Sequence, residues 1–206
     1  NEGLDGSKVL FRILYKETGH DIDTLGINEK DLELMKKIYT KPSGVMLVTG
    51  PTSCGKTTTI YSVIRALDAS RQSIYTVEDP VEYYLEGATQ IPVNDREGRS
   101  FAVILKSMMR LDPNIVFMGE MRDTESAVTA MQVANTGHTV FSTLHTNSAY
   151  TAPQRLFSMG VEPYLIIGNL NGVVAQRLVR ANCSRCLEEY RPSERTLKIL
   201  GLDPKE

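Results

Sequence analysis

The sequence predicts an α/β fold with a mainly parallel core sheet flanked by helices. Short apolar runs typical of buried strands alternate along the chain with longer stretches of helical periodicity. A glycine-rich loop of the pattern G-x-x-x-x-G-K-[ST] stands between one such strand and a helix. Acidic residues directly follow two further strands. Because open α/β sheets bind ligands at the carboxyl ends of their strands, we expect the loop and the acids to meet there.

The composition is that of a soluble globular protein. The 206 residues are long enough for one substantial core, and 41% of them are apolar and 23% charged. The net charge of −2 excludes bulk attraction to nucleic acid or anionic lipid. No apolar run reaches the roughly 18 residues that a membrane span needs, and the polar N-terminus predicts no signal peptide. Three cysteines, an odd number, do not make a disulfide framework. This cysteine content predicts that the protein lies in the reducing cytoplasm.

The segment before the glycine loop contains a strand, a linker and a helix. Residues 7–15 are rich in aliphatic and aromatic side chains and predict a strand that carries Arg12. Residues 16–27 have turn residues and no periodicity, so they are interpreted as a linker. Asn28 is a predicted N-cap of the helix that follows, with an acidic side chain three residues later.

The glycine loop predicts a site for a nucleoside triphosphate. Its glycines allow successive backbone N–H groups to point at phosphate oxygens, and the following helix adds the positive end of its dipole. Lys56 supplies a positive charge to the β- and γ-phosphates, and Thr57 offers a hydroxyl to Mg²⁺. Cys54 is interpreted as a small packing residue, not a nucleophile. The candidate nucleotide-binding residues of the loop are Gly50, Pro51, Thr52, Ser53, Cys54, Gly55, Lys56, Thr57 and Thr58.

Two carboxylates at strand ends are candidates for phosphate chemistry. A strand over residues 73–77 runs into Glu78, Asp79 and, three residues later, Glu82. A second strand, residues 115–118, is followed by Glu120 in a Walker B arrangement, which usually carries Asp. The alternatives are a solvated loop acid for Glu82 and a helix-start acid for Glu120. The sequence also leaves open which of Glu78, Asp79 and Glu82 is the general base.

The rest of the chain continues the alternation of predicted strands and helices. Further strands are predicted near residue 88 and over 139–142. His138 and His145 flank the second of these strands and are candidates for the site. The alternative for each histidine is a structural side chain whose hydrogen bonds are satisfied within the protein. Thr124 is the predicted cap of a helix that ends at Asn135. Further helical stretches are predicted over residues 57–67, 100–111, 148–159, 163–179 and 193–200.

A Cys-x-x-Cys segment lies near the end of the chain. Cys183 and Cys186 are half of the ligands of a tetrahedral zinc site. In this chain alone we expect weak metal binding or none.

Four sequence boxes in order resemble one known family. They are GPTSCGKTTT, TVEDPVEY, RLDPNIVFMGEMRD and TGHTVFSTLHTN, followed by AQRLVR and CSRC. The chain is similar to the C-terminal ATPase domain of the GspE/PilB group, the hexameric ATPases of type II secretion and type IV pilus assembly. The resemblance extends from about Arg12 to Cys186.

The resemblance implies a RecA-like P-loop NTPase core over residues 28–206, with residues 1–15 as the end of an N-terminal domain and 16–27 as a linker. The implied activity is Mg²⁺-dependent ATP hydrolysis that powers assembly of a type II secretion pseudopilus or a type IV pilus. The implied partners are further copies in a hexamer and platform proteins of the inner membrane, on whose cytoplasmic face the protein would lie. Zinc binding is implied for the intact protein.

The family's residue roles carry over onto matching positions. Glu82 would activate the attacking water, Glu120 would hold the Mg²⁺ shell and His145 would contact the phosphates. Arg12 would reach the phosphates from the N-terminal domain. Arg110 matches a family arginine on the helix over residues 100–111.

That helix also departs from the family pattern. Val103 and Lys106 stand where many relatives have arginine. Lysine does not replace the planar fork of arginine, so arginine-finger roles on this helix are in question.

Two other functions stay open at the level of sequence. The chain could be a nucleotide-gated assembly scaffold with little turnover, or a nucleic-acid motor on the same core. The second is disfavoured because the sequence has no basic patch interleaved with aromatic residues.

Overall fold

A computed structural model describes residues 21–202, together with the backbone of residues 2–3 and 6–7. The latter form a short antiparallel pair, β1 (Glu2–Gly3) and β2 (Gly6–Ser7). The predicted strand over residues 7–15, apart from its first residue, lies outside the described part of the chain, and so does Arg12. The predicted division at residues 15 and 27 therefore stays a prediction.

The core is one six-stranded parallel sheet, which confirms the predicted fold class. The strand order is β5-β4-β6-β7-β3-β8, and each neighbouring pair is parallel. All carboxyl ends therefore lie along one edge. The strands are β3 (Gly44–Thr49), β4 (Ile74–Glu78), β5 (Ala88–Pro92), β6 (Ile115–Met118), β7 (Thr139–Leu144) and β8 (Leu170–Ala175).

Helices cover both faces of this sheet. Along β3, Val45 and Leu47 belong to one apolar core and Met46 and Val48 to the other, because successive side chains of a strand point to opposite faces. A parallel sheet needs both faces covered, which explains why all six residues of β3 are buried. The helices are α1 (Glu29–Tyr39), α2 (Lys56–Arg65), α3 (Phe101–Met108), α4 (Thr124–Asn135), α5 (Thr151–Ser158), α6 (Pro163–Asn169) and α7 (Glu194–Leu200).

Side-chain caps fix the starts of α1 and α4, as they do those of α3 and α7. The Asn28 side chain accepts a hydrogen bond from the backbone N–H of Asp31 at 3.0 Å, as predicted. For α4 the cap is Asp123 and not Thr124, which corrects the sequence prediction. Asp123 has the extended backbone of a cap and accepts from the N–H of Ser126 at 2.8 Å, whereas Thr124 is already helical.

The predicted helical stretch over residues 163–179 is wrong in its second half. Helix α6 ends at Asn169, and the following residues form β8, which pairs with β3. Gly172 permits α1 to pack closely on β8, because a Cβ there would lie 2.5 Å from Cδ1 of Ile38 on α1. The decisive hydrogen bonds come from β3, more than a hundred residues away in the chain, so local periodicity could not reveal them.

No helix in the described ranges has the length and hydrophobicity required to cross a bilayer.

Substitutions on α3 test the packing. Leu105 is fully buried beneath α3, whereas Val103 on the same helix is 46% exposed. We expect Leu105→Ala to lower the free energy of unfolding by about 2–5 kcal/mol, because the cavity left in the core is only partly refilled. Val103→Ala is the matched control and should change it by less than about 0.5 kcal/mol. Denaturant unfolding measures both, and equal effects would contradict the packing described.

Candidate functional site

A cleft of about 540 Å³ lies at the carboxyl edge of the sheet. It is bounded by the loop between β3 and α2 and by the segments that follow β4, β6 and β7. This cleft brings together most of the predicted site residues, which are Thr52, Ser53, Cys54, Gly55, Lys56, Thr57, Thr58, Glu82, Glu120 and His145.

The glycine loop curls because three of its residues have positive φ angles. These residues are Gly50 at +151°, Ser53 at +60° and Gly55 at +84°, which is the N-cap of α2. A Cβ on Gly50 would lie 2.4 Å from the backbone oxygen of Gln176 and 2.6 Å from Sγ of Cys54. Glycine is therefore required at position 50 by space as well as by dihedral angle. The left-handed Ser53 is a strained position of the kind that clusters at ligand sites.

Lys56 lies inside this curl. Its Nζ donates hydrogen bonds to the backbone oxygens of Gly50 and Pro51, both at 3.0 Å. Lys56 is also the first residue of α2, whose positive dipole end faces the cleft. The loop thus concentrates positive charge where an anion would enter.

Glu120 is held by two cationic or basic side chains. Its Oε1 lies 3.0 Å from Nε2 of His145, and its Oε2 accepts from Nε of Arg122 at 2.9 Å. Arg122 also donates to Oδ2 of Asp79 at 2.7 Å. The hydrogen bond to Glu120 raises the pKa of Arg122, partial burial opposes this rise, and the bond to Asp79 adds to it. Arg122 therefore links Asp79, which follows β4, to Glu120, which follows β6.

The three acids near the end of β4 have different surroundings. Glu78 is 2% exposed and accepts hydrogen bonds from the hydroxyls of Tyr61 and Thr76 and from the amide of Gln90. Burial, and then the bond to Glu78, raise the pKa of Tyr61 well above its ordinary range. Asp79 is bound by Arg122, whereas Glu82 is partly buried and lines the cleft.

His138 and Arg110 lie outside the cleft. His138 precedes β7 at the opposite edge of the sheet, and its Nδ1 lies 3.1 Å from the backbone oxygen of Val133 and from Oγ1 of Thr136. The alternative of a satisfied hydrogen-bonding histidine is therefore the one the structure supports. Arg110 is exposed in a short 3-10 turn after α3.

Cys183 and Cys186 are both exposed and are linked by a backbone hydrogen bond of 3.2 Å from Cys186 to Cys183. Hydrogen bonds from Arg185 and Cys186 lower the pKa of the Cys183 thiol. Residues 21–202 contain no group of three or more histidine, cysteine or acidic side chains that could hold a metal ion.

Sequence reasoning missed Gln176, which fastens the glycine loop to β8. Its Nε2 donates to the backbone oxygen of Cys54 at 2.6 Å, and its Oε1 accepts from Oγ1 of Thr59 at 2.8 Å. Its backbone N–H donates to the oxygen of Thr49 at 2.9 Å. The predicted helix over this region concealed it, because only a strand beside β3 places Gln176 against the loop.

A second groove of about 820 Å³ adjoins the cleft behind the glycine loop. Gly55, Thr58 and Leu178 line both spaces. Its other walls are mainly apolar and come from residues 24–28, from α1 and from β8. The loop is therefore flanked by a polar cleft on one side and an apolar groove on the other.

The fold and the loop define a class of protein. A parallel sheet with a glycine loop between β3 and α2, and with acids after β4 and β6, is the core of a P-loop NTPase. Within this class the chain belongs to the type II/IV secretion system protein family, which it matches over residues 3–202.

Individual relatives show the same likeness. The chain is 47% identical over 201 residues to type II secretion system protein E of Pseudomonas aeruginosa, covering 97% of this chain and 40% of that protein. It is 43% identical over 202 residues to the type IV pilus assembly ATPase PilB of Thermus thermophilus, covering 98% and 23%. The chain thus spans less than half the length of these relatives.

A solved structure agrees with this assignment. The pilus retraction motor PilT with bound ADP has a TM-score of 0.68 and 37% identity to this chain, covering 82% of this chain and 50% of that one.

Two glycine substitutions test the close packing of the loop. We expect Gly50→Ala to lower the free energy of unfolding by about 2–4 kcal/mol, since a new methyl group would collide with Gln176 and Cys54. Gly98→Ala is the control, because Gly98 also has a positive φ of +72° but has nothing within 4 Å of an added Cβ. It should cost only the dihedral penalty of about 1 kcal/mol. Thermal and denaturant unfolding measure both changes in the free energy of unfolding. A loss for Gly50→Ala no larger than that for Gly98→Ala would refute the contact.

Proposed function

We propose that this chain is the Mg²⁺-dependent ATP-hydrolysing core of a motor that powers assembly of a type II secretion pseudopilus or a type IV pilus. One observation carries the proposal. A cationic glycine loop and three groups able to handle protons or metal, Glu82, Glu120 and His145, converge on one cleft from four separate segments. The names of the relatives, a secretion protein E and a pilus assembly ATPase, support the same direction.

The loop fits a triphosphate in shape and charge. Gly50 lets the loop turn closely against Gln176 and Cys54, and the start of α2 aims backbone donors at the cleft. Lys56 is bonded to two neutral carbonyl oxygens, which are weaker acceptors than phosphate oxygens for an ammonium group. A phosphate group would therefore compete well for this side chain.

Thr57 and Glu120 fit Mg²⁺ because both offer hard oxygen ligands and both line the cleft. When bound, the ion would neutralise charge on the phosphates during transfer. His145 and Arg122 would hold the Glu120 carboxylate in orientation, as the partners of a metal-ligating carboxylate commonly do.

Glu82 is our choice for the group that accepts the proton of the attacking water. Both oxygens of Glu78 are engaged in buried hydrogen bonds, and Asp79 is paired with Arg122. Glu82 lines the same cleft as Lys56, which would bind the phosphates, and Thr57, which would hold Mg²⁺. A positioned base of this kind contributes about 10²–10⁴-fold to a rate.

The apolar groove behind the loop is our choice for the nucleoside part. Adenine is flat and largely apolar, and the groove adjoins the loop at Gly55 and Thr58. Residues 24–27 on its wall belong to the predicted linker, so this segment would contact the base.

The wider assembly is proposed from the family alone. Residues 1–15 would end an N-terminal domain, and Arg12 from it would approach the phosphates, with the domain after residue 27 forming a homohexamer. Platform proteins would hold the assembly at the cytoplasmic face of the inner membrane. Zinc at Cys183 and Cys186 would need two further ligands from outside the described residues.

Carboxylate substitutions test the mechanism in the intact protein. We expect Glu82→Gln to lower ATP turnover by about 10²–10⁴-fold while the Kd for ATP changes less than about threefold, because only proton transfer is lost. Glu120→Gln should also lower turnover and should raise the Mg²⁺ concentration required. Glu86→Gln is the matched control, since Glu86 is exposed on the same loop as Glu82. Phosphate release and nucleotide-binding titrations provide the two readouts.

Other outcomes would favour the other functions. A wild-type protein that binds ATP with negligible turnover would be a nucleotide-gated scaffold. Turnover that rises strongly with added single-stranded or duplex DNA would indicate a nucleic-acid motor. Glu82→Gln with wild-type turnover would exclude Glu82 as the base.

A further inference from the structure

The acidic loop, defined here as residues 79–87 between β4 and β5, carries Glu82 over the cleft. Glu82 lies near the centre of this loop. The attachments of the loop backbone on each side of Glu82 therefore constrain where its side chain can lie.

The first attachment is the ion pair between Asp79 and Arg122 at 2.7 Å. Arg122 is fixed in turn by Glu120 and lies 6.0 Å over the ring of Phe101. Three residues before Glu82, the loop is therefore tied to the segment that follows β6.

The second attachment is the side chain of Gln90 on β5. Its Oε1 accepts from the backbone N–H of Leu85 at 2.8 Å, and its Nε2 donates to the backbone oxygen of Tyr83 at 3.1 Å. Leu85 itself is fully buried. One amide side chain thus satisfies both a donor and an acceptor of the backbone just after Glu82.

Gln90 is itself fixed by a buried polar cluster. Its Nε2 also lies 3.2 Å from Oε1 of Glu78 and 3.2 Å from the hydroxyl of Tyr61. Tyr61 donates to the other oxygen of Glu78 and packs edge-on against Tyr83, with ring centroids 4.5 Å apart. Tyr61 lies on α2, the helix that begins at the glycine loop.

We propose that Gln90, held by Tyr61 and Glu78, is a positioning residue that sets the place of Glu82 relative to the glycine loop. This inference rests on the proposed function and adds to it. The cluster connects α2, β4, β5 and the acidic loop, so it joins the helix behind Lys56 to the loop that carries the base. Buried and mutually hydrogen-bonded groups of this kind hold one geometry because every alternative leaves polar atoms unsatisfied.

The test uses Gln90→Leu in the intact protein, which keeps the side-chain size but removes all four hydrogen bonds. We expect kcat for ATP to fall by about 10–100-fold, while KM and the Kd for ATP change less than about threefold. The amide of Leu85 should exchange with solvent faster, because its acceptor is gone. Thr89→Val is the matched control, since Thr89 precedes Gln90 on β5 and is exposed.

A double substitution separates positioning from general damage. If Gln90 acts through Glu82, then adding Gln90→Leu to Glu82→Gln should change the residual rate less than about twofold. A further fall by the same factor as in the wild type would overturn the proposal, and so would an unchanged kcat in Gln90→Leu alone. If Gln90→Leu does not fold, Tyr61→Phe decides, because it keeps the ring and removes the hydroxyl that bonds to both Glu78 and Gln90. An unchanged kcat in Tyr61→Phe would also overturn the proposal.

The base and the positioning residue are tested by different variants. Wild-type turnover in Glu82→Gln would count against the proposed base itself. Lost turnover in Glu82→Gln combined with normal kcat in Gln90→Leu would count against the positioning role alone.

Discussion

The pairing of β3 with a parallel strand on each side is the constraint on which the rest depends. β7 pairs with all six residues of β3, and β8 pairs along its other edge. A strand bonded on both edges and buried on both faces cannot shift its register without moving its apolar side chains out of the two cores. The glycine loop that leaves β3 at Gly50 therefore starts from a fixed point, and Gln176 of the neighbouring segment fastens it there.

Because the strands are parallel, the loops that follow them meet at the edge of the sheet where the glycine loop begins. The segments after β4, β6 and β7 leave the sheet at the same edge as the glycine loop, and they bring Glu82, Glu120 and His145 with them. Burial then divides the acids among different tasks. Glu78 is engaged by uncharged donors beneath the surface, Asp79 is bound to a cation, and Glu82 lies at the cleft wall. Carboxylate side chains thus act as an anchor, an ion-pair partner and a candidate base, according to their environment.

Buried side chains connect helix α2, which begins at the glycine loop, to the acidic loop. Tyr61 on α2 contacts Glu78, Gln90 and Tyr83, so a displacement of the helix that begins at Lys56 would reach the acidic loop through direct contacts. β8 and α1 form the other side, where Gly172 lies against Ile38 behind the apolar groove. A nucleotide bound between these parts would contact both.

The sequence by itself determined the class of fold, the glycine loop and the family, because these depend on local patterns: strand-length apolar runs, fixed glycine spacing and ordered boxes. Strand β6 has the predicted bounds and helix α4 ends at the predicted residue, since buried apolar runs and helical periodicity are local signals. The tertiary structure alone decided that residues 170–175 form a strand, that Gln176 and Gln90 hold the loops, and which acid is buried. These depend on contacts between segments distant in the chain, whose free energy no local pattern contains.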